Sequence, residues 1–476
     1  MTAPLWTIDA AVAACDGRLL APPSNSGFIN GISIDSRDCA AGDLFVALPG
    51  TAADGHQFLA NAATAGASVA LVSRPDAAID LPQIIVEDSL AGLTRLAAAG
   101  RNRFQGRVVG ITGSVGKTGS KDMLAHALAS FGQTHASQRS FNNHIGVPLT
   151  IASLPASCDF AVQEMGMNAA GEIAALTRLA GPHVALITRI AGTHSAFFNS
   201  LADIAAAKAE IFTGLAADGV AVLNRDDAFY PLLAATAQQA GASHIISFGR
   251  HDDAEFCLLS TTPQDNGMQV CAEIGGAELR FEMTMHGTHW ALNALGVLGC
   301  VAALGLPVED AAKTLVTCPT PEGRGRRYHG RYDGCHITLI DDSYNASPVS
   351  MRAALASMVA TPPTIMVLGE MLELGGESAA AHDNLIHEIN DIMPKLVIGL
   401  GAGMHHAMQH LDSRITACAA RDTDAAVTAL DAAVAANDIV FIKGSLGSGA
   451  WRVAAVLLQR LDAEQPISRK GDSYAA

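Results

Sequence analysis

The sequence predicts an α/β fold divided into three domains, and three observations carry that prediction. Apolar runs of strand length alternate with stretches of helical periodicity, the order expected of mostly parallel sheets. The chain holds 45 glycines, several of them directly after such runs, and only 5% aromatic residues. At 476 residues it exceeds one ordinary core, and length alone points to about three units.

In the first unit, Gly31-Ile-Ser-Ile-Asp-Ser-Arg37 alternates apolar and polar positions like a strand. Asp43-Leu-Phe-Val-Ala-Leu48 is an apolar strand set between Gly42 and Pro49-Gly50, and Phe58 to Ala65 is a short helix stopped by Gly66. Arg101 to Gly106, polar and basic, reads as a linker. The second unit opens with the apolar strand Arg107-Val-Val-Gly-Ile-Thr-Gly113 and a helix over Lys117 to Ser130, where Met123, Leu124, Ala127 and Leu128 keep helical spacing. Strands follow at Asp159 to Glu164, His183 to Ile190, Gly219 to Asn224 and His244 to Phe248, and antiparallel strands are expected between about Ala254 and Met285. Pro319-Thr-Pro-Glu-Gly-Arg-Gly-Arg-Arg327 marks a boundary. Beyond it, strands at Ile337 to Ile340, Thr364 to Leu368, Leu396 to Leu400 and Ile439 to Lys443 each precede a helical pattern, and Ser468 to Ala476 reads as a frayed tail. The expected domains are therefore a small α/β N-terminal domain over 1–104, a central P-loop domain with a mostly parallel sheet over 105–320, and a C-terminal Rossmann-like domain over 321–476.

Composition narrows the function classes. Apolar residues make up 49% and charged residues 16%, enough for several buried cores. A net charge of −16, from 46 acidic against 30 basic residues, disfavours nucleic acid and anionic membrane surfaces as partners. The nine cysteines are scattered without a Cys-x-x-Cys pair and read as reduced thiols of a cytoplasmic protein. Met1 to Cys15 lacks a basic n-region, so no secretory signal is expected. Ala291 to Leu306 is nearly all apolar but holds Asn293 and three glycines, and it falls short of a span of about 20 residues. A buried helix is the better reading, and no membrane span is expected.

Chemistry enters at Thr112-Gly-Ser-Val-Gly-Lys-Thr118. A strand that ends in glycine and opens a helix aims backbone N–H groups, and the positive end of the helix dipole, at an anion. Gly113, Ser114 and Gly116 would shape the loop around phosphates, Lys117 would reach the outer ones, and the Thr118 hydroxyl would bind Mg²⁺. The spacing is the short Gly-x-x-Gly-Lys-Thr form, with Ile111 where a longer loop would place its first glycine. Four further features fall near the same sheet edge, where open α/β sheets place ligands: Glu164, His194, Lys208 and the pair Asn142-Asn143. Singly each has a bland account, as a solvated strand end, a loop histidine, a surface lysine and turn formers. Their order after a phosphate loop favours a site.

Through these residues and others, the chain resembles the Mur ligases of peptidoglycan synthesis. The resemblance rests on the loop above, on Ser140-Phe-Asn-Asn-His-Ile-Gly-Val-Pro-Leu-Thr150, and on Glu164-Met-Gly-Met-Asn168 with Gly171-Glu-Ile173. It extends through Ala207-Lys-Ala-Glu-Ile-Phe212, Asn224-Arg-Asp-Asp227, Asp341-Asp-Ser-Tyr-Asn-Ala346, Leu368-Gly-Glu-Met-Leu-Glu-Leu-Gly375 and Lys443-Gly-Ser445. The Asp-Asp-Ser-Tyr-Asn and Glu-Met-Gly-Met-Asn stretches point to the branch that adds D-alanyl-D-alanine. The resemblance implies an ATP-dependent ligase that activates the carboxylate of UDP-N-acetylmuramoyl-tripeptide as an acyl phosphate and couples it to D-alanyl-D-alanine. It implies Mg²⁺ on Thr118, Glu164 and His194, with Lys208 carbamylated by CO₂ as a further ligand. It implies ATP contacts from Asn293, Arg324 and Asp342 besides the loop. Asp35, Ser36, Arg37, Asp54 and His56 would hold the uridine diphosphate end, with Asn142 and Asn143 also facing substrate. The chain is expected to act as a monomer.

Two alternatives stay open at this stage. One is a sibling ligase that adds a single amino acid. The other is a P-loop protein that binds nucleotide and switches partners without ligating anything, which would need neither Lys208 nor the carboxylate and histidine near the loop.

Overall fold

The computed structural model describes residues 4–20, 27–50, 53–137, 140–192, 198, 200–358 and 362–463. His194 and the tail from Ser468 lie outside the described residues. Besides a two-stranded ribbon of Trp6–Thr7 and Phe28–Ile29, three larger sheets follow one another along the chain, as the strand–helix rhythm predicts. The first has five strands in the spatial order Arg18–Leu19, Gln83–Ile85, Val69–Val72, Leu44–Val46 and Ile32–Ser33. Its strands run parallel, except that Arg18–Leu19 pairs antiparallel with Gln83–Ile85.

The second sheet has nine strands. Arg107–Thr112 lies between Val184–Ile187 and Phe160–Glu164, parallel to both, so chain order reverses at its carboxyl end. That reversal leaves a crevice above the strand tips, the place where such sheets take ligands. Val220–Asn224 and His244–Gly249 continue the parallel part. Phe256–Gln264, Gly267–Ile274 and Ala277–Met283 close the edge as the expected antiparallel meander. The apolar segment predicted as a buried helix is the helix Thr288–Ala303, which packs beside the helix Lys117–Leu128 under this sheet. No helix among the described residues is long and apolar enough to cross a membrane.

The third sheet has seven strands, with Cys335–Asp342, Asp438–Lys443, Ile365–Gly369, Leu396–Leu400 and Thr416–Ala420 adjacent and parallel in that order. Thr416–Ala420 escapes sequence reading because it is an edge strand of small, mostly exposed residues without an apolar run.

Two local expectations change. Only Ile32–Ser33 of the alternating Gly31–Arg37 stretch is strand. Ser33 Oγ accepts the Asp35 N–H, and Asp35 Oδ1 accepts the Arg37 N–H at 3.0 Å, so the polar side chains fold the backbone into a turn. The expected linker is partly helix. Arg101 and Arg103 form the last turn of Ser89–Arg103, where cations suit the dipole. Arg101 donates to the carbonyls of Ala180 and Gly181 on the central unit, and Arg103 donates to those of Leu5 and Leu154 while its guanidinium lies 3.5 Å from the centre of the Trp6 ring. The basic stretch clamps two units together instead of spacing them.

Candidate active site

The phosphate loop takes its shape from contacts that the sequence order makes possible. Gly113 has φ +150°, and a Cβ there would collide with Thr188 Oγ1 on the adjacent strand's exit. Gly116 has φ +87° and caps the helix Lys117–Leu128, so both glycines are required by backbone conformation as well as by space. Ser114 is committed to the loop's own geometry: its N–H donates to Arg189 O, and its hydroxyl donates to Ala191 O and accepts the Ala191 N–H. The Thr188 hydroxyl donates to Val115 O at 2.6 Å. The N–H groups of Val115, Gly116, Lys117 and Thr118 bond to no described residue, which leaves a nest of donors at a helix N-terminus. Lys117 Nζ folds back onto the carbonyls of Gly113 and Ser114, at 2.7 and 3.3 Å.

Glu164 closes the neighbouring strand and is 2% exposed. Asn142 Nδ2 donates to its Oε1 at 2.8 Å, and Asn142 is itself held by the Gly166 N–H on its carbonyl. The other carboxylate oxygen, Oε2, is buried and has no partner among the described residues. A buried, orphaned carboxylate oxygen beside a phosphate loop is what a Mg²⁺ site needs, and Thr118 Oγ1 lies on the same wall. Asn143 also lines the cavity, but its Oδ1 accepts the amides of Ile145 and Gly146 and so starts the next helix.

Lys208 sits near the end of the helix Leu201–Ala209 and is 1% exposed, with no carboxylate among the described residues paired to it. Burial, and secondarily the Lys117 charge, hold its amine well below the ordinary lysine range. Lys117 is pulled down by burial too, offset in part by Glu164.

The C-terminal unit supplies the facing wall. Arg324 donates to Thr118 Oγ1 at 3.0 Å, and its guanidinium lies 4.3 Å from the centre of the Tyr344 ring. Asp342 is paired with Lys443 at 2.8 Å, because the two stand side by side in register at the ends of parallel strands. Burial raises Asp342, opposed chiefly by Lys443. Asn293 lies over the loop from the helix Thr288–Ala303, so close that a Cβ on Gly116 would be 2.8 Å from its Oδ1. Together these residues bound one cavity of about 570 Å³ between the central and C-terminal units.

The structure thus brings together Ser114, Gly116, Lys117, Thr118, Asn142, Asn143, Glu164, Lys208, Asn293, Arg324 and Asp342. Gly113 shapes the loop from beneath. Asp35, Ser36, Arg37, Asp54 and His56 do not line that cavity. Arg37 is 87% exposed and pairs with Asp35 at 2.6 Å. His56 is turned inward: its Nδ1 faces Asp54 Oδ1 at 2.7 Å, and its Nε2 accepts the Ser73 N–H, so the ring organises its own loop. Sequence reading missed Lys443 as the partner of Asp342, Tyr344 as the ring under Arg324, and Ser140, whose hydroxyl meets Thr118 Oγ1 at 3.1 Å. Each stands inside a quoted motif stretch, which was the available signal.

Known proteins resemble this chain in sequence and in fold. Family models match consecutive parts of the chain: the Mur ligase family catalytic domain over 28–101, the Mur ligase middle domain over 111–301, and the Mur ligase glutamate ligase domain over 323–446. The UDP-N-acetylmuramoyl-tripeptide–D-alanyl-D-alanine ligase of Bacillus subtilis is 36% identical over 371 residues, covering 77% of this chain and 79% of that protein. Crystal structure I of MurF from Acinetobacter baumannii is 28% identical, with a TM-score of 0.82, over 96% of this chain and 99% of that one. The MurF ligase of Thermotoga maritima, solved in complex with ADP, is 25% identical with a TM-score of 0.75, over 90% of this chain and 97% of that one.

Proposed function

The chain belongs to the Mur ligase family, and we propose that its cleft joins D-alanyl-D-alanine to UDP-N-acetylmuramoyl-tripeptide at the expense of ATP. The enzyme is an ADP-forming carboxylate–amine ligase of peptidoglycan synthesis, as its relatives are by name and by their bound nucleotide. The observation that carries the reading is the pair of buried side chains Glu164 and Lys208, with the half-buried Lys117, lining one cavity with a nest of N–H donors that bond to no described residue. A binding switch has no need of such a set, and the two dipeptide-branch stretches sit on it.

The chain's residues then have these parts. The loop amides and Lys117 hold the β- and γ-phosphates, and Arg324 reaches in from the C-terminal side. Asn293 covers the loop where the base would lie, and Asp342, steadied by Lys443, faces the ribose. Thr118 and Glu164 would hold Mg²⁺, which when bound neutralises charge between the γ-phosphate and the incoming carboxylate. The tripeptide carboxylate oxygen attacks the γ-phosphorus as the bond to the bridging oxygen breaks and ADP leaves. The dipeptide amine then attacks the acyl carbon, loses a proton and expels phosphate. His194 belongs to the same proposal on the strength of its sequence position alone.

Carbamylation of Lys208 is supported by its desolvated, unpaired amine, because only the neutral form adds CO₂. Segment 1–104 takes the uridine diphosphate end, with the exposed Arg37 as diphosphate partner; segments 105–320 and 321–476 close on ATP. Action as a monomer in the cytoplasm completes the reading, and the free state of all nine cysteines suits a reducing compartment. Trapping tests the two-step chemistry. With ATP, the UDP-linked tripeptide and hydroxylamine but no dipeptide, the enzyme should form the tripeptide hydroxamate. Amide formation with dipeptide but no trapped hydroxamate under any condition counts against an acyl phosphate.

A further inference from the structure

We propose that the C-terminal unit carries a second cation site, separate from the cleft, for a borderline divalent transition metal such as Zn²⁺, built from Asp383, His406 and His410. One ligand atom from each of the three lies within 4.8 Å of the other two. His406 and His410 stand four residues apart on the continuous helical run Ala402–Ala407 and Met408–His410, so they rise from one face a turn apart. Their rings meet edge to face with centroids 6.0 Å apart. Asp383 ends the helix Ser378–Asp383, which packs against that run.

A second observation points to a ligand. Asp383 Oδ1 is buried and has no hydrogen-bond partner among the described residues. A carboxylate with one oxygen withdrawn from water without a donor is costly, and a cation held by this carboxylate at the exposed face of the cluster relieves that cost. The neighbouring histidines divide cleanly. His405 Nε2 faces the carbonyls of Gly399 and Ala420, and His382 is engaged at both ring nitrogens. His406 and His410 are exposed, and their ring nitrogens engage no hydrogen-bond partner among the described residues. Two imidazoles and one carboxylate form the N, N, O set of zinc-like metals, with a position left for water, whereas Mg²⁺ takes oxygen ligands.

The site has a path to the cleft. His382, the neighbour of Asp383, accepts the Met371 N–H on Nε2 at 2.9 Å, and Leu372 and Leu374 line the cavity. A metal that ties Asp383 to the His406–His410 turn pins the helix that holds this segment of the cavity wall.

Equilibrium zinc binding to the full chain, in excess Mg²⁺, tests the site against His410→Gln and Asp383→Asn, with amide hydrogen exchange over 371–383 as second readout. One equivalent of Zn²⁺ should bind without displacement by Mg²⁺, and affinity should fall at least about tenfold in each variant. Zinc should slow exchange at Met371 and along Ser378–Asp383 in the parent and not in the variants. Zinc held by the free cysteines would survive both substitutions, so unchanged affinity in the variants overturns the site, as does a failure to bind. Binding without slower exchange overturns the pinning.

Discussion

At the scale of single residues, Lys208 distinguishes this cleft from an ordinary nucleotide pocket. A lysine as buried as its neighbours Ala205, Ala207 and Ile211, with no carboxylate partner among the described residues, is costly to the fold, and the cost has a pH signature. Its folded pKa lies well below the unfolded value of about 10.4, so between the two the unfolded chain binds the proton and the folded chain does not. Its contribution to stability is therefore complete above the unfolded pKa and is lost as pH falls through the folded one. In CO₂-free buffer, Lys208→Met should be more stable than the parent near neutral pH, and the gap should shrink as pH rises towards 10 in denaturant titrations. The same variant should lose turnover, whereas in Lys208→Ala added formate or acetate should restore part of it by standing in for a carbamate. A variant that keeps full activity without bicarbonate removes the carbamate from the account.

At the scale of elements, the cleft depends on how the helix Thr288–Ala303 seats on the helix Lys117–Leu128. A Cβ on Gly119 would run into the Trp290 ring, so glycine there lets the two helices approach and brings Asn293 over the loop one turn later. Gly119→Ala should cost about 1–3 kcal/mol by overpacking, read as a lower melting temperature, and should raise KM for ATP because Asn293 is displaced with the helix. Much at this scale was legible in the sequence. The strand–glycine–helix grammar located Arg107–Thr112 and its loop, and apolar runs located the central strands. Two things were not legible. Asp342 and Lys443 lie a hundred residues apart, and only the parallel register of their strands makes them a pair. Arg101 and Arg103 looked like linker residues because solvated cations and carbonyl-capping cations read alike in sequence; their partners lie on another unit.

At the scale of the molecule, the cleft is assembled from two units, and Arg324 makes a side-chain hydrogen bond between them. Its guanidinium donates to Thr118 Oγ1 across the cavity, on the hydroxyl proposed to bind Mg²⁺. Under the function proposed above, Arg324 would exchange this bond for phosphate oxygens when nucleotide and metal bind. Arg324→Ala should leave the fold intact, lower kcat by about 10²-fold or more through lost charge stabilisation, and weaken the compaction that ATP induces in solution scattering. Arg37, on the first unit, does not line this cavity, and under the same proposal it would serve substrate capture.

On the proposed function, ATP held in the loop phosphorylates a carboxylate so that a dipeptide can be joined to it. Phosphate release measured with ATP, Mg²⁺, the UDP-linked tripeptide and D-alanyl-D-alanine, in the parent and in Lys117→Ala, tests this most directly. Release should require both substrates and yield one pentapeptide product per phosphate, and both should be lost in the variant. Release with a single amino acid but not with the dipeptide, or undiminished turnover by Lys117→Ala, would contradict it.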